Sequence, residues 1–415
     1  MTKRFFRPRV IVTVVLSVSA TAILSVAFAE GAAGVSARPV VSAHPRERDL
    51  APAGLQYYWK RELTLAGGER AVKMYLKDEN LYLVTNDDCL RAVDAAVGNP
   101  KWFVRVGNHH ERIFEPTHVP DMRLPERIGG VDDISTPKTE ADFDTFDAAL
   151  VNSMTHLMVV DRKTGRIYRD VRFDGLVADD AGVSDGTSFY VGTGERNYCA
   201  MKLLPNVVVW KEHLGQNVST PMAYYERRIF MGTLDGLFRC ADVDNYGKKR
   251  WERTFDGSIT EKCLVNARGL FLACNDHRIY AFYPHDGKTL WPAVVVKGAV
   301  GGPMQMGEKT LFQYIRRDGL YAINVTNGDV RWKLPAGRRV LAILDGVVYV
   351  LDAKKNLRLV NEITGKTSVV VPLGGFDFYA DNTTAPAIYT ATRAGQVFCL
   401  RPAKAGRLTA EMLTK

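Results

Sequence analysis

The residue types able to do chemistry gather most densely in one stretch of this 415-residue chain. His109, His110, Glu111, His118 and Asp121 are followed by Asp132, Asp133, Glu140, Asp142 and Asp144. Three imidazoles with nearby carboxylates can hold a transition metal. Their spacing matches no defined metal motif. The alternative is a solvated loop over one end of the fold, where long loops concentrate binding functions. No metal site is assigned. Six cysteines follow: Cys89, Cys199, Cys240, Cys263, Cys274 and Cys399. An oxidising compartment would allow them to pair. Cys263 and Cys274 flank a hairpin turn at Asn266-Ala267-Arg268-Gly269 and can face each other across it. As unpaired thiols they would be small buried hydrophobes. Gly192-Thr193-Gly194 ends a strand-like run, but no Rossmann or P-loop spacing follows it. The pairs Arg227-Arg228, Arg316-Arg317 and Arg338-Arg339 recur near turns, as a basic patch for an acidic partner or glycan or as solvated turn charges. No catalytic and no cofactor-binding residue is assigned.

The elements that must position these residues are set by a repeat. Trp210, Trp251, Trp291 and Trp332 are separated by 41, 40 and 41 residues. Ten residues before them stand Ala200, Ala241, Ala281 and Ala322, and Trp102 has the same relation to Ala92. Six residues after each alanine comes a turn residue: Gly98, Asn206, Gly247, Gly287 and Gly328. Asn206 is expected to take the positive φ that glycine takes elsewhere. Weaker copies carry Val159, Leu359 and Cys399 in the alanine column, with Arg169 and Val369 in the tryptophan place. An apolar, alternating run precedes the column, as in Leu81-Tyr82-Leu83-Val84 and Val347-Val348-Tyr349-Val350. Such runs read as strands. About 40 residues hold four short strands, one blade of a β-propeller. The alanine falls on the third strand and the tryptophan on the fourth.

The last copy lacks a fourth strand, while Tyr57-Trp59-Leu63 is a strand with a tryptophan and nothing before it. Joining the two closes the ring and removes a free sheet edge. The expected fold is therefore all-β, an eight-bladed propeller of four-stranded antiparallel blades. It spans 54–402, with an insertion at about 112–145 in the second unit and a C-terminal tail at 403–415. Trp59, Trp102, Trp210, Trp251, Trp291 and Trp332, with Ala92, Ala200, Ala241, Ala281 and Ala322, are expected to be structural docking residues. An indole presents a broad flat face, and alanine leaves room for it.

The pattern Ala-x-Asp/Asn-x-x-x-Gly-x-x-x-Trp resembles the tryptophan-docking motif of pyrroloquinoline-quinone-type propellers. Ala92-Val93-Asp94, Gly98 and Trp102 carry it, as do Ala322-Ile323-Asn324, Gly328 and Trp332. Ser219-Thr220-Pro221, Gly301-Gly302-Pro303 and Thr384-Ala385-Pro386 look like the first strands of such repeats. The resemblance covers about 55–402 and implies fold, not reaction. Quinone-dependent dehydrogenases of this type use an adjacent cysteine pair, a bound cation and an aspartate base. This sequence has no Cys-Cys dipeptide and no assignable calcium cluster, so no cofactor is expected. In repeat type and size it is similar to the non-catalytic branch, the propeller lipoprotein of outer-membrane assembly.

The N-terminus reads as an export signal over 1–29: a basic start, an apolar run from Val10 to Phe28, and Ala27-Phe28-Ala29 as a cleavage site. An uncleaved anchor is the alternative. No cysteine precedes Cys89, so the lipid attachment of the assembly lipoprotein has no counterpart. Residues 30–53 read as a flexible linker. The formal charge is +9, four of it from Lys3, Arg4, Arg7 and Arg9 before the apolar run. The mild excess left gives no argument for nucleic acid. The expected function is a periplasmic or extracellular monomeric scaffold that binds a protein partner through its loop faces. Quinone-dependent dehydrogenation and carbohydrate or small-ligand binding are the alternatives.

Overall fold

A computed structural model describes residues 44–108, 111–125 and 143–414. The export signal, most of the linker and the tip of the insertion lie outside the described residues. Two units divide the chain, Met1–Val41 and Ser42–Lys415. In the second, the described residues form eight four-stranded antiparallel sheets. Blade I comprises Ala71–Lys77, Asn80–Thr85, Cys89–Asp94 and Pro100–Arg105. Blades II to VII follow in chain order, their first strands opening at Thr117, Val183, Ala223, Leu264, Gln305 and Gly337. Blade VIII takes Phe378–Tyr379, Ile388–Ala391 and Gln396–Pro402, and its outer strand is Leu55–Glu62 from the other end of the propeller. Tyr57 pairs with Leu400 and Trp59 with Cys399. The eight-bladed expectation and the closure by the N-terminal strand both hold.

Alternation within each strand sends side chains to the two neighbouring blades. The buried apolar residues accordingly form eight clusters, one per seam between blades. First strands surround the axis. One end of the propeller carries the connections between blades and the turns between second and third strands. The other carries the hairpin turns between first and second and between third and fourth strands.

A bulge recurs in every blade. Ala92 pairs with Trp102, then Val93 with Pro100, so Lys101 bulges out of the ladder. Tyr168, Val209, Arg250, Leu290, Arg331, Ser368 and Tyr58 do the same in the other blades. Such a bulge bends and twists the strand locally, and here it always precedes the tryptophan place.

Two ends of the propeller sequence are ordered against it. His44 stacks on Phe376 at 5.0 Å, a short helix Glu47–Leu50 follows, and Leu50 is fully buried in the seam between blades VII and VIII. The described part of the linker region is thus packed structure. In the C-terminal tail, Leu408 and Leu413 are buried in the seam between blades VIII and I.

Candidate functional site

The six tryptophans sit on outer strands, and each indole covers the third-to-fourth-strand turn of the next blade. Indole Nε1 of Trp59 donates to Ala95 O at 3.2 Å, Trp102 to Arg162 O at 3.1 Å, and Trp251 to Pro284 O at 2.9 Å. Trp291 reaches Val325 O at 3.3 Å and Trp332 reaches Glu362 O at 2.8 Å. A glycine at the end of that turn lies under the ring. A Cβ on Gly98 would fall 2.6 Å from Trp59, and one on Gly165 2.4 Å from Trp102. Gly247, Gly287, Gly328 and Gly365 meet Trp210, Trp251, Trp291 and Trp332 in the same way, at 2.4–2.8 Å. All six are at positive φ. The glycine of each repeat therefore belongs with the tryptophan of the repeat before it, a relation the within-repeat spacing conceals.

The exceptions agree with this pairing. Blade II has Arg169 in the tryptophan place, and the next turn, in blade III, has no glycine. That turn is Leu204-Pro205, with Asn206 opening the outer strand opposite Leu203. Asn206 does not take a positive φ, contrary to expectation, because the two-residue turn ends before it. Phe146 stacked on Tyr168 at 3.8 Å, with Phe173 and Phe189, fills that seam instead. Blade VII has Val369 in the tryptophan place, and there the segment carrying Leu50 and Ala53 completes the seam.

Ala92, Ala200, Ala281 and Ala322 are the ladder partners of their tryptophans. Trp251 pairs with Cys240, not Ala241. The turn in blade IV carries one residue more, in the short helical turn Val243–Asn245, so counting back ten lands one position late. Ala241 points the other way, into the seam with Trp210.

The stretch rich in histidine and carboxylate divides between the two ends of blade II. Glu111 lies at the connection end, accepting from Ser153 Oγ at 2.5 Å and Thr155 Oγ1 at 2.6 Å. His118 lies seven residues on, at the hairpin end, in the seam with blade I. Its Nδ1 is 2.7 Å from Asp78 Oδ2 and its Nε2 2.7 Å from Tyr82 Oη. Arg162 joins Asp78, Glu79 and Asp147 there. Burial depresses the His118 pKa, against the pull of Asp78. Beyond Val119 the first hairpin of blade II extends past the blade, with Pro125 opposite Phe143. Asp121 N–H donates to Asp147 Oδ1 at 3.3 Å across the hairpin, and Asp144 accepts from Tyr168 Oη at 2.8 Å. His109, His110, Asp132, Asp133, Glu140 and Asp142 lie outside the described residues. Among the described residues no three His, Cys, Asp or Glu side chains gather as a metal set.

All six cysteines are buried and unpaired. Leu264 faces Phe271 across the hairpin, so Cys263 and Cys274 are out of register by two residues and not opposite one another. Burial pushes the thiols of Cys199, Cys240, Cys263 and Cys274 up to about 12. One motif escaped the sequence reading. Gly182-Val183-Ser184-Asp185-Gly186 has the spacing of a nucleophile elbow. It forms a β-hairpin in which Ser184 Oγ donates to Ser188 O at 2.7 Å and Asp185 caps the turn. The arginine pairs do not share a patch either. Arg227 is at the hairpin end with Asp185 and Asp244, whereas Arg339 binds Asp381 at the channel.

The channel holds a cavity of about 590 Å³ lined from seven blades and the connections entering them, including Lys73, Lys77, Glu115, Glu261, Lys262 and Asp381. Burial lowers the pKa of Lys262, and the nearby Lys77 charge adds to this. Burial likewise lowers Lys73, with Arg112 beside it. Burial opposes ionisation of Glu115, yet Lys77 and Lys262 hold it below the usual carboxylate range. Burial raises Glu261, Asp180 and Asp381, and pushes Asp179 up to about 6 with help from Asp180. No tryptophan lines this cavity, since the indoles are committed to the seams.

The loop ends offer a different surface. Met154 (39% exposed), Val177 (45%) and Leu234 (66%) all stand at the connection end, in a blade II turn, the connection to blade III and a blade IV turn. Ala178 N bonds Met154 O at 2.7 Å and Gly194 N bonds Val177 O at 3.0 Å, which ties the loops of Met154 and Val177 to each other and to the second-to-third-strand turn of blade III.

Comparison with known proteins agrees with this architecture. A family model described as outer membrane protein assembly factor BamB matches residues 275–373. The outer membrane protein assembly factor BamB of Bordetella pertussis (strain Tohama I) is 24% identical over 173 residues. That match covers 39% of this chain and 44% of the relative's length. The crystal structure of BamB from Moraxella catarrhalis superposes with a TM-score of 0.60 at 13% identity, covering 85% of this chain and 99% of that one. The computationally designed Ika8 protein also gives 0.60, at 10% identity, covering 81% and 98%. At these identities the structural likeness is one of fold. The chain is an eight-bladed β-propeller whose repeats resemble the pyrroloquinoline-quinone type and which is similar to the assembly factor BamB.

Proposed function

We propose that this chain is an exported, non-catalytic propeller scaffold of the cell envelope that binds a protein partner during assembly of outer-membrane proteins. The sequence likeness to BamB supports the pathway, and the basic and apolar start of the chain supports export to the periplasm. One observation of this molecule carries the binding role. Met154 and Val177 expose apolar side chains on loops tied to each other, and Leu234 exposes another at the same end two blades on from Met154. Isolated exposed apolar residues are ordinary, but a cluster on loops held by a rigid frame is a mark of an interface. In this proposal the six tryptophans and their alanine partners act structurally, fixing the blades so that the loops keep their relative positions.

The test uses the mature protein immobilised and exposed to detergent-solubilised outer membrane from its source organism. Leu234→Asp and Val177→Asp place charges in the loops without touching a seam. They are expected to abolish capture of an envelope protein that the wild type retains, with thermal unfolding unchanged. Identical capture by wild type and both variants, or no reproducible partner at all, would overturn the proposal.

A further inference from the structure

We propose that the waist of the channel binds the phosphate group of a small organic phosphate between Lys73, Lys77 and Lys262. This goes beyond the scaffold role and does not depend on it. Lys73 and Lys77 come from the first strand of blade I. Lys262 stands two residues before the first strand of blade V, four blades on and so across the ring. All three line one cavity. Lys77 is paired with Glu115. Lys73 and Lys262 make no hydrogen bond or ion pair with any described residue.

Glu115 is the carboxylate that the three lysines share, and other carboxylates of the wall are engaged elsewhere. Asp381 is held by Arg339 Nε at 2.8 Å. Asp377 accepts from Arg393 N at 2.8 Å. Glu261 lies near Arg316, and Asp180 lies near Lys73 and Lys262 without hydrogen-bonding either. Desolvated ammoniums that outnumber the carboxylate they share are costly, and three of them lining one cavity leave positive potential in it. A doubly charged oxyanion with several acceptor oxygens answers that arrangement. The remaining wall is apolar or aromatic, with Met74, Leu264, Met304, Phe378 and Tyr379. The cavity is larger than a bare phosphate needs and lies within the size range of sites for small organic ligands. The wall therefore favours a phosphate attached to an apolar or aromatic body.

Isothermal titration of the mature protein at low ionic strength tests this, with inorganic phosphate and phenyl phosphate as probes. Both are expected to bind saturably at one site, phenyl phosphate about tenfold more tightly. Lys262→Gln should weaken both by about tenfold or more, Lys262→Arg should retain most of the affinity, and the exposed Lys288→Gln should change nothing. If Lys262→Gln does not fold, Lys73→Gln serves in its place. Vesicles containing phosphatidate that displace phenyl phosphate would put the phosphate on a lipid head group. Failure of vesicles to compete would put it on a soluble molecule, and both outcomes support the site. No saturable binding at millimolar probe, or equal affinity in Lys262→Gln and Lys288→Gln, would overturn it. Equal affinity for the two probes would overturn the apolar half of the site.

Discussion

Substituting one glycine tests whether the seams are locked by an indole pressed on the neighbouring turn. Gly165 has φ +75° and its Cβ would lie 2.4 Å from Trp102 Cγ and 2.5 Å from Trp102 Cβ. Gly175 has nearly the same φ, +69°, with nothing within 4 Å of its Cβ position. Alanine at either site meets the same left-handed backbone penalty of roughly 1–2 kcal/mol, partly offset by a stiffer unfolded chain. Only at Gly165 must the indole also move by about an ångström, because ordinary carbon contacts are at about 3.5–4.0 Å. It cannot move freely, since its Nε1 is bonded to Arg162 O of the same turn. Overpacking of this kind costs about 1–3 kcal/mol. For a chain of this size about 1 kcal/mol corresponds to a shift of roughly 1 °C in the unfolding midpoint. Gly175→Ala should lower the midpoint by about 1 °C and Gly165→Ala by about 2–5 °C. In a Trp102→Ala background the penalty of Gly165→Ala should shrink to that of Gly175→Ala, a coupling of about 1–3 kcal/mol. Differential scanning calorimetry of the four variants and the wild type decides it. Equal midpoints for the two glycine variants, or an unchanged Gly165→Ala penalty without the indole, would refute the lock.

Three further outcomes follow from particular side chains. Leu50→Ala should cost about 2–4 kcal/mol, read by urea titration, because Leu50 is fully buried where no tryptophan fills the seam. Asp179 has its folded pKa raised to about 6, so the native state binds a proton more tightly than the unfolded chain. Its penalty is therefore absent below the unfolded carboxylate pKa and fully present above pH 6. Asp179→Asn should stabilise by about 1 kcal/mol at pH 7.5, a value discounted for solvent access, and by nothing at pH 3.5. A pH-independent effect in thermal melts would contradict this. The buried cysteines, with thiols pushed up to about 12 in four cases, should react with a disulfide reagent only after addition of denaturant. Rapid labelling of the native protein would count against the burial of these thiols.

What the sequence discloses and what it hides have separate physical causes. The blade count and the closing strand are legible because a four-stranded blade consumes a fixed length of chain, so a bulky marker such as Trp251 returns at that period. The pairing of Trp59 with Cys399 follows once the last repeat is seen to lack its outer strand. The partner of each indole is not legible by period, because contact between blades adds a whole repeat to the separation. Gly98 stands four residues before Trp102 in the chain but lies under Trp59. The same cause hides the compensation at the irregular seams. Arg169 and the glycine-free turn at Leu204-Pro205 look like two unrelated lapses of the repeat until they are placed in adjacent blades, where the second is the consequence of the first. A turn that receives no indole is released from the need for glycine. At Val369 the missing ring is answered by Leu50, about 320 residues earlier in the chain, within a segment whose composition reads as linker. Lys73 and Lys262 are hidden by the same geometry. Nothing in their local sequence distinguishes them from surface lysines, and only closure of the ring brings blade V opposite blade I. The information that sets this molecule's function therefore lies in relations between repeats, which a one-dimensional period does not carry.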